Sequence, residues 1–372
     1  MIYPENTILT KPQMVLDLNK VKKNILKVFG KFHEQGVFFR PHFKTHQCPA
    51  IGEIFKSLGV TAITVSSLDM AAYFARHGWQ DITLAVPVNP GQIKKISELA
   101  ATIRLNLLVD SAETVEMLND TLESECPIWI KVDVGYGRVG VKWHNREGLL
   151  RLVELIENSE KLDFSGLLTH SGHTYDCHGS REVIDLFNEG RGRMLCLQQM
   201  LLDNGIQGKI SMGDTPSASL VEDFNGVDEM RPGNFVFYDL VQSEVGSCSV
   251  EEIAVANACP VIGVYEDELK VVVYGGAAHL SKDSLNIGGE RIFGQLALAS
   301  DEGWRVIPLR EGKVISCCQE VSKIKVSREI FDKIKIGQTL YILPVHSCLA
   351  ADIYPHYVTT DGVKLERFQL YA

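Results

Sequence analysis

The sequence offers little to a membrane or a nucleic acid. None of its apolar runs is long enough to span a bilayer, and its first residues, MIYPENTILTKPQ, lack the cationic start and apolar stretch of a secretory leader. Basic residues do not cluster: the densest run is Lys20-Val21-Lys22-Lys23, and the formal net charge is −10. Such a surface neither condenses on a phosphate backbone nor adheres to anionic lipid. Cysteine occurs nine times, an odd number at irregular spacing, which makes no disulfide framework in a chain of 372 residues. Low-complexity linkers and short-period repeats are absent too. The expectation is a soluble cytoplasmic protein with reduced thiols, no nucleic-acid or membrane partner, and small molecules as ligands.

What is present is an ordinary globular composition, 45% hydrophobic and 23% charged. From Val37 onward the chain alternates strand-like and helix-like segments. The strand candidates are VFFRPHFK, TAITVS, DITLAVP, IRLNLLVD, PIWIKVDV, FSGLLTH, KISMGD and EMRPGN. Helical stretches such as SLDMAAYFARHG and SAETVEMLNDTL lie between them, several ending at glycine. This rhythm predicts an α/β fold, a (β/α)8 TIM barrel, with an open doubly wound sheet as the alternative. Beyond about residue 245 the texture changes to short β-branched runs, which predicts a mostly β C-terminal domain. The expected division is a barrel over 15–243 and a β domain of 1–14 plus 244–372. The strand in QMVLDLNKVKKNI is free to pair with the β domain instead of the barrel.

The stretch VFFRPHFKTHQ sets basic residues, Arg40, His42, Lys44 and His46, at every second position. On a strand they share one face, and desolvating them together costs several kcal/mol per unpaired charge, so an anionic partner is expected. In barrels, phosphate is often held by the loops after strands seven and eight, here GDTPS and RPGN. Glycine allows close backbone approach there and Thr215 and Ser217 offer hydroxyls, although both loops also read as simple turns. Lys44 ends the first strand at the same mouth, where a desolvated amine can form a Schiff base. A phosphate and a reactive lysine at one mouth describe pyridoxal 5'-phosphate. GYGRVG, by contrast, matches a dinucleotide fingerprint only literally, since no amphipathic helix opens at its last glycine. In PVHSC, His346 and Cys348 stand two apart on an expected strand, so both side chains leave one face and can share a borderline cation such as Zn²⁺. A core cysteine beside a hydrogen-bonded histidine is the plainer reading of the same pair.

Taken in order, RPHFKTHQ, IKVDVGYGRVGV, GLLTHSGHTY, SMGDTPS, EMRPGNFVFYD and PVHSC resemble the fold-type III pyridoxal phosphate enzymes. The group resembled is that of the D-serine dehydratases and D-threonine aldolases, related to alanine racemase, and the likeness runs from about MVLDL to the C-terminus. It implies an alanine racemase-like barrel with Lys44 as the Schiff-base lysine and His170 beside the cofactor ring, both catalytic. It further implies Arg138 near the phenolic oxygen, Thr215, Gly233 and Asn234 at the phosphate, Arg231 against the pyridine nitrogen, and Tyr238 among the cofactor-binding residues. The dehydratases of this group carry the His-x-Cys pair as metal ligands, which assigns the metal to His346 and Cys348. Two departures stand out: Gln47 replaces a lysine common after KTH, and Val321 in CQEVS replaces a histidine.

The implied activity is that of a metal-assisted, pyridoxal phosphate-dependent lyase acting on D-3-hydroxy amino acids, with D-serine dehydratase-like elimination of water. Lys44 removes the α-proton and the metal polarises the β-hydroxyl, giving 2-oxo acid and ammonia. A D-threonine aldolase-like retro-aldol cleavage is the alternative, with a racemase or a non-catalytic cofactor carrier further behind. Related barrels pair head to tail, so the expected assembly is a homodimer.

Overall fold

The computed structural model describes residues 9–369. By contact these divide into two compact units, 27–233 and 9–26 with 234–369.

In the first unit all eight anticipated strands form, as β1 (Phe38–Phe39), β2 (Ala62–Val65), β3 (Asp81–Pro87), β4 (Arg104–Val109), β5 (Cys126–Asp133), β6 (Leu162–Leu168), β7 (Lys209–Met212) and β8 (Glu229–Met230). They are parallel and ordered β1-β8-β7-β6-β5-β4-β3-β2. A single parallel bridge, His42 to Thr64, joins β1 to β2 and nearly closes the barrel. Three of the helices between strands begin where the sequence supplies a capping oxygen: Ser67 accepts from Met70 N, Ser111 from Thr114 N, and Asp214 from Ser217 N. These caps fix where each of those strands hands over to its helix, and so fix the loops at the strands' C-terminal ends.

The second unit is a ten-stranded, mainly antiparallel sheet. Six of its strands pair in a ring: Lys270–Tyr274, Val321–Val326, Gly312–Cys317, Gly294–Ser300, Thr339–Pro344 and Val255–Tyr265, which returns to the first. The early strand Gln13–Leu16 pairs here, antiparallel to Val255–Tyr265 and parallel to His356–Thr359. The division between units therefore falls at 26/27, inside the helix Leu18–Glu34, and at 233/234, rather than at 14/15 and 243/244. Its cause is local: the strand and the start of the helix bond to this sheet, through Asp17 N to Ala254 O and Asn24 Nδ2 to Glu252 O. No described helix is long and apolar enough to cross a membrane. All nine cysteines are free thiols, six of them buried.

Candidate active site

The run of alternating basic residues divides into two halves. Arg40 and His42 continue the ladder of β1, through Arg40 N to Met230 O and His42 N to Pro232 O. After His42 the chain turns, because the His42 ring captures the next donor: its Nδ1 accepts from Lys44 N at 3.3 Å. His46 repeats the device, accepting from Cys48 N at 3.1 Å. Gln47, in a left-handed conformation with φ of 51°, ties the turn through its side chain to Lys44 O at 3.0 Å. Phe43 and His46 bury themselves against Phe55, Phe74 and, for Phe43, Trp79. Lys44 is left exposed on a turn held from both sides. The four basic groups thus do not share one strand face.

The question of an anionic partner has separate answers along this run. Arg40 is buried, and Glu229 Oε2 and Asp81 Oδ1 accept from it at 2.6 and 2.5 Å. Lys44 joins none of the ion pairs among the described residues, and neither do Lys131 and Arg138. At the C-terminal ends of the strands Lys44 lies close enough to act on both His42 and His170, Arg231 on His42, and Lys131 and Arg138 on His170. Burial first, then Lys44, Arg231 and His170, hold His42 well below the usual imidazole range. Burial also holds His170 well below it, aided by Lys44, Lys131 and Arg138. Both rings are therefore neutral at physiological pH. His170 Nδ1 donates to the Gly213 carbonyl at 2.6 Å, which leaves its Nε2 as a bare acceptor.

Lys131 was not anticipated as a site residue. It is a charged side chain inside the apolar run PIWIKVDV, and that contradiction was the available signal. Burial, then Arg231 and Arg138, bring its amine down to about 7, with Asp133 and Asp110 opposing. The GYGRVG segment opens no helix and instead wraps Asp133, whose Oδ1 accepts from Gly135 N and Gly137 N. Burial alone would raise the Asp133 carboxyl, but Gly137 N, Lys142 and Gly135 N outweigh it and hold it at about 2.

Arg231 is fixed within the barrel: Nε donates to Ser211 Oγ at 2.6 Å and Nη2 to Thr169 O at 2.5 Å, leaving Nη1 as its remaining donor. The Ser211 hydroxyl in turn donates to Glu229 Oε1 at 2.6 Å. Burial lowers the guanidinium to about 10, with Glu229 opposing, so it remains a cation at neutral pH. The phosphate-loop glycines serve the chain more than a ligand. A Cβ on Gly213 would lie 2.9 Å from the Arg231 backbone, and one on Gly233 would lie 2.8 Å from His42 O. The loops after β7, β8 and β1 can approach one another only because these residues are glycine. The Ser217 hydroxyl is committed to Asp214 Oδ2 at 2.9 Å, and Thr215 N donates to Tyr175 Oη at 3.3 Å at the start of the helix Thr215–Leu220.

An excess of cations without carboxylate partners, beside two neutral imidazoles, fits a ligand bearing a phosphate and a phenolate. The residues that would hold pyridoxal phosphate in this unit are Lys44, Arg138, His170, Thr215, Arg231 and Gly233.

Asn234, Tyr238, His346 and Cys348 belong to the second unit. Tyr238 is fully buried with φ of 51°, a strained conformation for a bulky side chain. The strand before PVHSC ends at Pro344, so His346 and Cys348 are not strand neighbours: His346 caps the helix Ser347–Asp352 and Cys348 is that helix's second residue. Their side chains nonetheless meet. Burial pulls the His346 imidazole down, but the hydrogen bond to Cys348, the charge of Cys348, and Asp239 and Asp283 lift it to about 9. An imidazole and a thiol converging on one point suit a borderline cation. Among the described residues no third His, Cys, Asp or Glu completes a cluster with them. The Asn234 amide, expected at the phosphate, donates to Asp239 Oδ2, Ser347 Oγ and Cys348 Sγ at 2.8, 3.1 and 3.4 Å. Val321 opens the strand Val321–Val326.

A nearly closed parallel barrel with a lysine at its mouth and a separate β unit is the architecture of the alanine racemase-like, fold-type III pyridoxal phosphate enzymes. The alanine racemase N-terminal domain model matches residues 16–240, and a serine dehydratase domain model matches 254–360. D-serine dehydratase of Dictyostelium discoideum is 30% identical over 98% of this chain and 97% of that enzyme. A D-threonine aldolase from Arthrobacter is 25% identical over 61% of each chain. Among solved structures, D-threo-3-hydroxyaspartate dehydratase from Delftia sp. HT23 superposes with a TM-score of 0.89 at 26% identity, covering 98% of both chains. A cysteine-to-alanine variant of that dehydratase is described as a metal-free form, with the same TM-score, identity and coverage. The chain belongs to the alanine racemase-like family of pyridoxal phosphate enzymes, in the group that holds the dehydratases and aldolases of D-3-hydroxy amino acids.

Proposed function

We propose that this protein is a metal-assisted lyase that eliminates water from D-3-hydroxy amino acids, of the D-serine dehydratase type. The observation that carries the reading is the amine of Lys44, outside every ion pair among the described residues and held on a braced turn at a mouth where Lys131 and Arg138 also stand outside them. The higher identity to dehydratases, 30% and 28% over nearly the whole chain against 20% and 25% for aldolases of similar coverage, supports elimination over retro-aldol cleavage.

Pyridoxal phosphate, when bound, supplies an electron sink that acidifies the substrate's α-carbon. Lys44 carries the cofactor and then serves as the base that takes the α-proton. The neutral His170 presents Nε2 as an acceptor beside it, its ring fixed by the bond to Gly213 O. Arg231, anchored on Ser211 and Thr169, keeps Nη1 and a permanent positive charge for the ring nitrogen. Arg138 serves the phenolic oxygen, and Thr215 and Gly233 serve the phosphate. His346 and Cys348 hold a divalent cation, proposed to be Zn²⁺, which supplies Lewis acidity to a substrate hydroxyl. Loss of the α-proton and the β-hydroxide releases an enamine, which water hydrolyses to a 2-oxo acid and ammonia. A cytoplasmic homodimer is the assembly proposed with this reading, and a monomer with full activity in sedimentation would contradict it.

Incubation with D-threonine tests the reaction class. The expected products are 2-oxobutyrate and ammonia, whereas glycine and acetaldehyde would make the enzyme an aldolase.

A further inference from the structure

His346 and Cys348 do not meet by strand geometry, so something else must hold them together. Asp239, which is buried, accepts four hydrogen bonds. Gln242 N donates to Oδ1 at 3.0 Å, while Asn234 Nδ2, Ser347 N and Ser347 Oγ donate to Oδ2 at 2.8, 2.9 and 3.2 Å. One carboxylate thus pins the residue between His346 and Cys348 by both its backbone and its side chain. The same carboxylate orients Asn234. A carboxylate oxygen accepts only, so the Asn234 atom 2.8 Å from it is the NH₂ group, and the amide cannot be flipped without setting two acceptors face to face. That NH₂ group also reaches Cys348 Sγ at 3.4 Å. The other end of the amide, Oδ1, is buried with no hydrogen-bond partner among the described residues.

We infer that Asn234 is a positioning residue for the metal: its amide, oriented by Asp239, donates to the Cys348 sulfur and fixes that ligand's direction and donor strength. The inference rests on the reading of His346 and Cys348 as metal ligands. An N–H donated to a ligating sulfur draws charge from it and makes it a weaker donor to the metal, while preorganising it; removal of such outer contacts commonly costs 10–100-fold in affinity.

The test uses the holoenzyme with Co²⁺ as the probe. Metal affinity is measured by competition with a chromophoric chelator, and the sulfur-to-cobalt charge-transfer band is recorded for wild type, Asn234→Ala, Asn234→Ser and Cys348→Ala. Asn234→Ala is expected to weaken Co²⁺ binding about 10–100-fold and to shift the charge-transfer band, with the cofactor's visible band unchanged. Asn234→Ser, a shorter side chain that keeps a hydroxyl donor, is expected to show the same band shift, and it carries the test if the alanine variant does not fold. Cys348→Ala is expected to lose the band altogether. If Cys348→Ala loses the band while both Asn234 variants keep wild-type affinity and band position, the inference about Asn234 is wrong and the metal reading stands. If wild type binds no Co²⁺, or binds it as Cys348→Ala does, both are wrong.

Discussion

The two units of this chain gather opposite kinds of group. At the barrel's strand ends the sequence accumulates cations, Lys44, Lys131, Arg138 and Arg231, and leaves three of them outside every described ion pair. Around the strand-to-helix junction of the β unit it accumulates acceptors, the carboxylate of Asp239, the Cys348 sulfur and the orphaned Asn234 Oδ1. A site that collects uncompensated positive charge awaits an anion, and one that collects lone pairs awaits a cation. The difference sharpens the proposed reading, in which the two ligands carry opposite charge, the cofactor held by residues of the barrel unit and the metal by residues of the β unit.

The comparison breaks first at Lys44. Lys44→Ala is expected to reduce ammonia release from D-serine by at least about 10⁴-fold, because it removes both the cofactor's attachment and the base. In wild type, borohydride reduction should fix the cofactor on this lysine, and a label on another lysine would move the site. The β unit gives the next largest effect. His346→Ala is expected to cost about 10²–10³-fold in dehydration, the several kcal/mol of a lost Lewis acid at 1.36 kcal/mol per tenfold. Chelation of the wild type should reproduce that loss, with added Zn²⁺ restoring it.

Inside the barrel the contrast is between a paired and an unpaired cation. Glu229→Gln strips Arg40 of a buried partner and is expected to destabilise the protein by about 3–5 kcal/mol in denaturant unfolding. Lys131, whose cost of burial is not met by an ion pair, should show the reverse sign. Burial, with Arg231 and Arg138, lowers its folded value to about 7 from the ordinary 10.5. Between those limits the unfolded chain holds a proton that the folded chain does not, so stability rises with pH across that window. The penalty for the charged amine is fully present below about 7. Lys131→Met should therefore flatten the stability profile of the apoprotein between pH 7 and 10, and an unchanged slope would contradict the burial argument.

Much of this arrangement was legible in the sequence, and the rest was hidden for definite reasons. The eight strands declared themselves through apolar runs separated by capped helices, and all eight formed. The strand Gln13–Leu16, open to either partner, took the β unit because its ladder partner was Val255–Tyr265. The alternation from Arg40 to His46 misled because periodicity carries no information about a side chain that captures the backbone: once His42 accepts from Lys44 N, the strand ends. His346 and Cys348 were singled out by their chemistry, yet placed on a strand that stops at Pro344. Asn234 was assigned to the phosphate through the family resemblance; its amide bonds to Asp239, five positions on, and to Ser347 and Cys348, more than a hundred away, contacts that no local pattern announces.

The assignment of the cofactor to Lys44 and of the metal to Cys348 is tested most directly by measuring bound metal and reducible cofactor together in Lys44→Ala and Cys348→Ala. Lys44→Ala should yield no borohydride-fixed cofactor while retaining its metal, and Cys348→Ala should yield the fixed cofactor while losing its metal. Loss of both ligands from either variant, or retention of metal by Cys348→Ala, would contradict the account.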